Sequence, residues 1–153
     1  MRQIQPIQQI PFYFVRHGET LGNVRNLCQG HIDFPLTDTG EAQGRDAAAM
    51  LKGRGIRRIA TSPLGRARST ARIIAEVLEL TDVIEYPALI ERGWGELEGR
   101  HNSLMFAQED LERLPSWDGA CDIKGAETKR ELLCRIGAGM NRSEEHTSEL
   151  QSH

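Results

Sequence analysis

The chain has 153 residues, of which 39% are hydrophobic and 27% are charged, and its formal net charge at pH 7 is -3. This length and composition are typical of one soluble globular domain and exclude a chain that is disordered throughout. The small net charge gives no reason to expect nucleic acid or an anionic membrane as a partner, and the sequence holds no apolar run long enough to cross a bilayer.

The first eleven residues are rich in Gln and lack the pattern of a signal peptide. We expect residues 1–11 to be a flexible lead and the compartment to be the cytoplasm. The cysteines Cys28, Cys121 and Cys134 have no metal-ligand spacing and cannot all pair within one chain, which favours reduced thiols. Cys28 is interpreted as an incidental loop residue and not as a catalytic one.

Short apolar runs alternate with helical patterns along the rest of the chain. The predicted elements are, in chain order, a strand at 12–15, a helix at 39–54, a strand at 56–60, a helix at 65–80, a strand at 83–86 and a helix from about Ala126. Thr39 or Asp38 is the expected cap of the first helix. The second helix has an apolar face that we expect to pack on the sheet: Ala67, Ala71, Ile74, Ala75 and Leu78. The alternation predicts an α/β domain with a mainly parallel central sheet flanked by helices.

The sequence RHGET at residues 16–20 follows the first predicted strand. A histidine that attacks a phosphoryl group must be neutral and in the right tautomer, while cationic groups take the phosphate charge. Arginine suits the second task, because its planar fork matches two phosphate oxygens. Arg16 and His17 at a strand end therefore indicate phosphoryl chemistry, and a salt-bridged surface pair is the alternative.

Further motifs follow in a set order. They are Asn23, Gln29-Gly30, Pro35-Leu36-Thr37, Gly40, the run SPLGRA at 62–67 with Thr70, then Glu91, Gly95 and LEG at 97–99. In this order and spacing, the chain resembles the histidine phosphatase superfamily, which includes the cofactor-dependent phosphoglycerate mutases. The resemblance covers about residues 12–141 and implies a phosphoglycerate mutase-like fold.

The resemblance implies a role for four charged or titratable residues. His17 matches the nucleophile that becomes a phosphohistidine, and Arg16 and Arg66 match two arginines of the phosphate pocket. Arg66 also follows the predicted strand at 56–60, and parallel sheets gather ligands at such strand ends. Glu91 matches the acid that protonates the leaving oxygen, a role that calls for a raised pKa. An exposed loop carboxylate is the alternative for Glu91.

Three further residues match positions that line the substrate side of the pocket in relatives: Asn23, Gln29 and Gly30. Each also has a purely structural interpretation. Asn23 could cap a turn, and Gly30 could supply a positive φ.

The resemblance also implies a second histidine, in a His-Gly pair that follows a later apolar strand. The chain has no second His-Gly pair; its other histidines are His31, His101, His146 and His153, and the last two lie in a polar tail.

That tail, residues 142–153, agrees with one reading frame of a common short-read sequencing adapter. We therefore expect the natural gene to continue past Asn141, so that residues 12–141 are a partial domain, incomplete at its C-terminus, and the tail is a sequencing artefact. A genuine acidic, disordered tail is the alternative. Loss of a central strand can exceed a native stability of about 5 to 15 kcal/mol, so the chain as written should fold poorly and be nearly inactive.

The expected function is hydrolysis of a small phosphomonoester through a phosphohistidine. Residues 91–99 resemble phosphatase members, whereas mutases carry a longer and more basic segment after them. Phosphoglycerate mutase is the alternative, and a non-catalytic phosphate-binding or interaction protein is an alternative of another class. Residues 101–124 are predicted to form a variable excursion over the pocket mouth that shapes substrate choice. This chemistry requires no metal and no cofactor, and the sequence does not indicate the oligomeric state.

Overall fold

The computed structural model describes residues 12–104 and 123–150. Within these ranges the elements are, in chain order, the helices α1 (Leu21–Val24) and α2 (Asp38–Leu51), the strand β1 (Ile59–Thr61), the helix α3 (Gly65–Leu78), the strand β2 (Val83–Glu85), the 3-10 helices Pro87–Leu89, Gly95–Leu97 and Asn102–Leu104, and the helix α4 (Lys129–Leu150). β1 and β2 pair in parallel, with Ile59 opposite Val83, and α3 is the crossover between them. The fold is α/β, with a parallel sheet flanked by helices, as predicted.

The core of the described structure forms where α2 packs on α3. Gly44 of α2 allows a close approach, because a Cβ there would stand 3.2 Å from Cγ2 of Ile73. The buried apolar side chains of the two helices are those of Ala48 in α2 and of Ala71, Ile74 and Ala75 in α3. Ala67 and Leu78, which were predicted on the same face of α3, are half-buried. At the N-terminal end of α3 the buried side chains are instead polar, namely those of Arg66 and Thr70.

The ends of α2 and α3 differ from the predicted ends. Thr37, not Thr39 or Asp38, caps α2, since its hydroxyl accepts a hydrogen bond from the Gly40 N–H at 3.0 Å. α2 ends at Leu51, short of the predicted residue 54, and Gly53 follows with a φ of 75°. α3 ends at Leu78 because Glu79 adopts the left-handed conformation that closes helices.

The strand predicted at residues 12–15 is not present. These residues have no assigned secondary structure, and the exposed fractions are 64% for Phe12, 56% for Tyr13, 86% for Phe14 and 38% for Val15. A strand exists through its partner, and β1 and β2 pair with each other and not with this segment. The strand β1 is also shorter than predicted, since it is limited to the three residues that face β2.

The helix α4 begins at Lys129, three residues after the predicted start, because Thr128 and Glu131 form its capping box. The Thr128 N–H donates to the Glu131 carboxylate at 2.8 Å, and the Glu131 N–H donates to the Thr128 hydroxyl at 3.2 Å. The helix continues to Leu150. Across residues 12–104 and 123–150, no helix combines the length and apolarity that a membrane crossing requires. Most of the predicted excursion at 101–124, with Cys121, lies outside the described residues.

Candidate active site

His17 is half-buried, and its ring is oriented by its own neighbour. Nδ1 lies 2.8 Å from the Gly18 carbonyl oxygen. A carbonyl oxygen can only accept a hydrogen bond, so Nδ1 carries the proton and Nε2 of the neutral ring keeps its lone pair. This is the tautomer that a nucleophilic histidine requires.

The surroundings of His17 favour the neutral ring. Burial lowers the pKa of His17 below its ordinary value of 6.5, and the Gly18 hydrogen bond opposes this. The positive charges of Arg66 and Arg16 lower the pKa further, whereas the Glu91 carboxylate raises it. The charges of Arg16, Arg66 and Glu91 thus all act on the His17 ring.

The main chain at Gly18 and Glu19 is held by side chains of α2 and α3. The Gly18 N–H donates to the Thr70 hydroxyl at 3.1 Å, and that hydroxyl donates to the Arg66 carbonyl at 2.9 Å. The Glu19 N–H donates to Oε1 of Gln43 at 2.8 Å. Both α2 and α3 therefore contribute to the position of His17. Thr70 belongs to the motif order noted in the sequence, but its contact with Gly18 crosses 52 residues and has no local signal.

Two glycines allow the His17 loop to lie directly on the start of α2. A Cβ at Gly18 would overlap the carbonyl of Gly40, and a Cβ at Gly40 would overlap the carbonyl of Glu19. Neither glycine has a positive φ, so the requirement is one of space and not of backbone conformation.

Asn23 and Gln29 belong to a buried polar network around Thr20. Oδ1 of Asn23 accepts from the Thr20 N–H at 3.0 Å, and the Thr20 hydroxyl accepts from the Asn23 N–H at 3.2 Å, which makes a capping box for α1. The Thr20 hydroxyl also lies 2.8 Å from Oε1 of Gln29. The structural interpretation of Asn23 is therefore correct, and so is that of Gly30, whose φ is 50°. That these three residues line the substrate side stays a prediction.

Arg66, at 2% exposure, is the most deeply buried charged residue of the site. Its Nη2 donates to the Gly30 carbonyl at 2.8 Å and its Nη1 to the Ile32 carbonyl at 3.0 Å. Nη1 also lies 3.5 Å from Oδ1 of Asp33. Burial lowers the pKa of Arg66, and the carboxylates of Asp33 and Glu91 raise it. The sequence analysis did not name Asp33.

Glu91 is exposed, and the segment that carries it accepts hydrogen bonds from His31 and from Arg135 of α4. Its Oε1 accepts from the Arg92 N–H at 2.8 Å, and its carbonyl accepts from Nε2 of His31 at the same distance. Arg135 of α4 holds the preceding residues, with Nη1 donating to the carbonyls of Ala88 and Ile90 at 2.7 and 2.8 Å. His31 and Arg135 thus act as supports for the segment that carries Glu91.

Arg135 is itself fixed by an ion pair. Its Nε and Nη2 donate to the two oxygens of Glu127 at 2.8 and 2.7 Å. The Glu127 carbonyl accepts from Nε of Arg92, whose guanidinium stacks 4.3 Å from the Trp94 ring centroid. The segment 88–92 is therefore joined to the start of α4 at several points.

His101 and Cys28 have surroundings of their own. His101 contacts the Ser103 hydroxyl at 2.7 Å. Cys28 is buried, and burial followed by the charges of Glu98 and Glu91 raises the pKa of its thiol to about 11, so it is protonated at neutral pH. Within residues 12–104 and 123–150, no group of three or more His, Cys, Asp or Glu side chains could hold a metal ion.

The fold and the cluster around His17 agree with the comparison to known families. The profile of the histidine phosphatase superfamily, branch 1, matches residues 12–151. The chain belongs to the histidine phosphatase superfamily.

Individual relatives include both mutases and phosphatases by name. A Proteus mirabilis protein named "Probable phosphoglycerate mutase GpmB" is 41% identical over 131 residues, which are 84% of this chain and 60% of that protein. The structure of the alpha-ribazole phosphatase from Shigella flexneri is 31% identical with a TM-score of 0.70, and the match covers 88% of this chain and 67% of that one. A mycobacterial glucosyl-3-phosphoglycerate phosphatase in complex with VO3 is 30% identical with a TM-score of 0.68, covering 78% of this chain and 60% of that one. The chain thus spans about 60% of the length of the curated relatives it matches.

Proposed function

We propose that the protein is a phosphomonoesterase that acts on a small phosphorylated metabolite through a phosphohistidine at Nε2 of His17. The observation that carries this proposal is the Nδ1 hydrogen bond to the Gly18 carbonyl, which leaves the Nε2 lone pair for attack. The low pKa of His17 supports it, because a ring that stays neutral at pH 7 needs no general base.

The reaction has two steps. Nε2 of His17 forms a bond to phosphorus while the ester P–O bond breaks, and Glu91 gives its proton to the leaving oxygen. Water then attacks the phosphohistidine, Glu91 takes a proton from that water, and the N–P bond breaks to release inorganic phosphate. Arg66 and Arg16 balance the charge on the transferred group. A site of this kind needs no metal, since the arginines supply the positive charge.

The decisive test is the phosphoenzyme. The full-length protein, continued past Asn141 as the source locus encodes it, is incubated with ³²P-labelled bisphosphoglycerate, quenched and assayed for protein-bound label that is acid-labile and base-stable. His17→Ala should abolish the label, and His101→Ala, which removes an exposed histidine bound to Ser103, should retain it. Absence of label on the unsubstituted full-length protein, or label that survives in His17→Ala, would contradict the proposal and favour a non-catalytic phosphate-binding protein.

Hydrolysis is preferred over mutase action because the segment that follows residues 91–99 is short and acidic. Its sequence contains Glu109, Asp110 and Glu112, where a clamp for a second acidic group of the substrate would need cations. The name of the Proteus mirabilis relative favours phosphoglycerate mutase as the second candidate. Transfer of label from bisphosphoglycerate to 3-phosphoglycerate, in place of release as inorganic phosphate, would establish the mutase.

The proposal extends to the organisation of the chain. Residues 12–141 are proposed to be a partial histidine phosphatase domain that a further segment, with a strand and a second histidine, completes. The exposed apolar side chains of residues 12–15 and the 60% span of the relatives support this. Sequencing the source locus across the codon for Asn141 by a method without short-read adapters tests it. A frame that encodes residues 142–153 and then stops would contradict it.

The proposed compartment is the cytoplasm. The scattered cysteines of the sequence, for which we expect reduced thiols, are the reason for this proposal.

A further inference from the structure

Arg66 has an unusual distribution of hydrogen bonds. Nη1 and Nη2 donate to the carbonyls of Ile32 and Gly30, whereas Nε is buried and has no hydrogen-bond partner in the described structure. A buried donor without an acceptor costs about 1–3 kcal/mol. The cost is explained if Nε–H is kept for an acceptor that belongs to a ligand, and the guanidinium is close enough to influence His17.

Asp33 is the group that fixes this arrangement from outside α3. Its carboxylate accepts hydrogen bonds from the N–H groups of Gly65 and Arg66, the second at 3.2 Å. The N-cap residue of α3, Leu64, has no side chain that can accept a hydrogen bond. Asp33 supplies this acceptor instead, although it lies 32 positions before Gly65 in the sequence. The same carboxylate forms the ion pair with Nη1 of Arg66. One side chain thus holds both the main chain and the guanidinium of Arg66.

We infer that Asp33 is a positioning residue for the phosphate site, and that it orients Arg66 so that the Nε–H of Arg66 donates to the phosphoryl oxygen of the substrate. This inference rests on the proposed function, because it takes the phosphoryl group at His17 as the ligand.

The charge of Asp33 and its proposed positioning role predict opposite effects on anion affinity when the carboxylate is removed. A carboxylate 3.5 Å from the guanidinium partly cancels the positive charge, so electrostatics alone would make an anion bind more tightly after the charge is removed. A positioning role requires weaker binding, because Arg66 loses the support that directs it. Asp33→Asn separates the two effects, since it removes the charge and one acceptor and nearly preserves the shape.

The experiment measures orthovanadate binding by titration calorimetry to the full-length protein, continued past Asn141 as the source locus encodes it. Asp33→Asn should weaken binding about tenfold, as expected for partial loss of one charge-assisted hydrogen bond. The matched control is Asp38→Asn, which removes the same charge from an exposed position in the first turn of α2 and should change affinity less than about twofold. Unchanged or tighter binding by Asp33→Asn overturns the inference while leaving the proposed function intact. No vanadate binding by the unsubstituted chain contradicts the proposed function itself, and the inference with it.

A double-mutant cycle shows whether Asp33 acts through Arg66. Arg66→Lys removes Nε, so Asp33→Asn should have almost no additional effect on vanadate affinity in the Arg66→Lys background. A general loss of stability would instead lower affinity equally in both backgrounds, and additive effects therefore overturn the inference.

A measurement on the unsubstituted chain avoids any variant that folds poorly. The ¹H–¹⁵N signal of Arg66 Nε should move downfield and exchange more slowly with solvent when vanadate saturates the site. A signal that stays unchanged at saturation overturns the assignment of Nε as the donor.

Discussion

Two adjacent segments of the chain, residues 12–15 and 16–20, are held very differently. The first is apolar yet exposed, and no described strand pairs with it. The second is polar yet fixed by Thr70, Gln43 and the close contact with Gly40. The sequence predicts that His17 is placed by the strand before it. The structure places it instead through contacts from later in the chain, so the position of His17 depends on α2 and α3.

The largest effect is expected from Gly18→Ala. The new methyl group would overlap the Gly40 carbonyl, which belongs to the main chain and cannot rotate away, so the free energy of unfolding should fall by about 3 kcal/mol. Gly53→Ala is the control, because Gly53 has a φ of 75° and open space around it, and it should cost about 1 kcal/mol. Urea denaturation measures both values. Equal losses would show that the contact with α2 does not fix the His17 loop.

A smaller effect is expected from Thr70→Val. It preserves the shape but leaves the buried Gly18 N–H without its acceptor, so the loss should be about 2 kcal/mol. Thr70→Ser keeps the hydroxyl and should lose clearly less stability in the same denaturation experiment. If the two variants are equally stable, the hydrogen bond contributes nothing to the position of Gly18.

The pH dependence of His17 gives a third test. Its pKa is lower in the folded chain than in the unfolded one, so the unfolded chain binds the proton first as the pH falls. The contribution of His17 to the free energy of unfolding is fully present above pH 6.5, and it is lost as the pH decreases from 6.5 toward the pKa of His17 in the folded chain. An NMR titration of the His17 ring should give a midpoint below 6.5.

Charge variants sharpen this titration. Arg66→Gln should raise the His17 midpoint, and Glu91→Gln should lower it, because their charges act on His17 in opposite directions. Arg72→Gln, at an exposed position of α3, should leave the midpoint unchanged. A midpoint that does not move in Arg66→Gln would mean that Arg66 lies too far from His17 to share a phosphate with it.

The smallest effect is expected from Phe14→Ser. The side chain is 86% exposed, so the free energy of unfolding of this chain should change by less than about 0.5 kcal/mol. A large loss of stability, or a changed His17 midpoint, would show that residues 12–15 do position the nucleophile.

The sequence predicts the βαβ unit because its signals are local. The apolar run before Ser62, the glycine at Gly65 and the helical spacing of Ala71, Ile74 and Ala75 each lie within the element that they form. Element ends are less accurate, although Thr37 and Thr128 each accept a hydrogen bond from an N–H only three residues later, which is a local signal that the predicted ends did not use. Residues 12–15 have the composition of a strand, but a strand also requires a partner that composition does not reveal.

The residues of the candidate site also differ in whether the sequence predicts them. The residues that we propose as chemically active, His17, Arg16, Arg66 and Glu91, were predicted from motif order. The groups that hold them could not be predicted, because the contacts of Asp33 with Arg66 and of Arg135 with Ile90 join residues that are 33 and 45 positions apart. Both partners of such a contact are ordinary polar residues in their own sequence neighbourhoods.

Cys28 lies at the start of the loop that Arg66 holds, with its N–H donating to the Arg100 carbonyl at 2.9 Å and its carbonyl accepting from the Gly99 N–H at 2.7 Å. With a thiol pKa of about 11, only about one thousandth of this thiol is ionised at pH 8 in the folded chain. We therefore expect alkylation to be slow in the folded chain and faster when the loop opens. The rate at which Cys28 reacts with iodoacetamide, followed by mass spectrometry, then reports on local unfolding of the loop at residues 28–33 and needs no attached label.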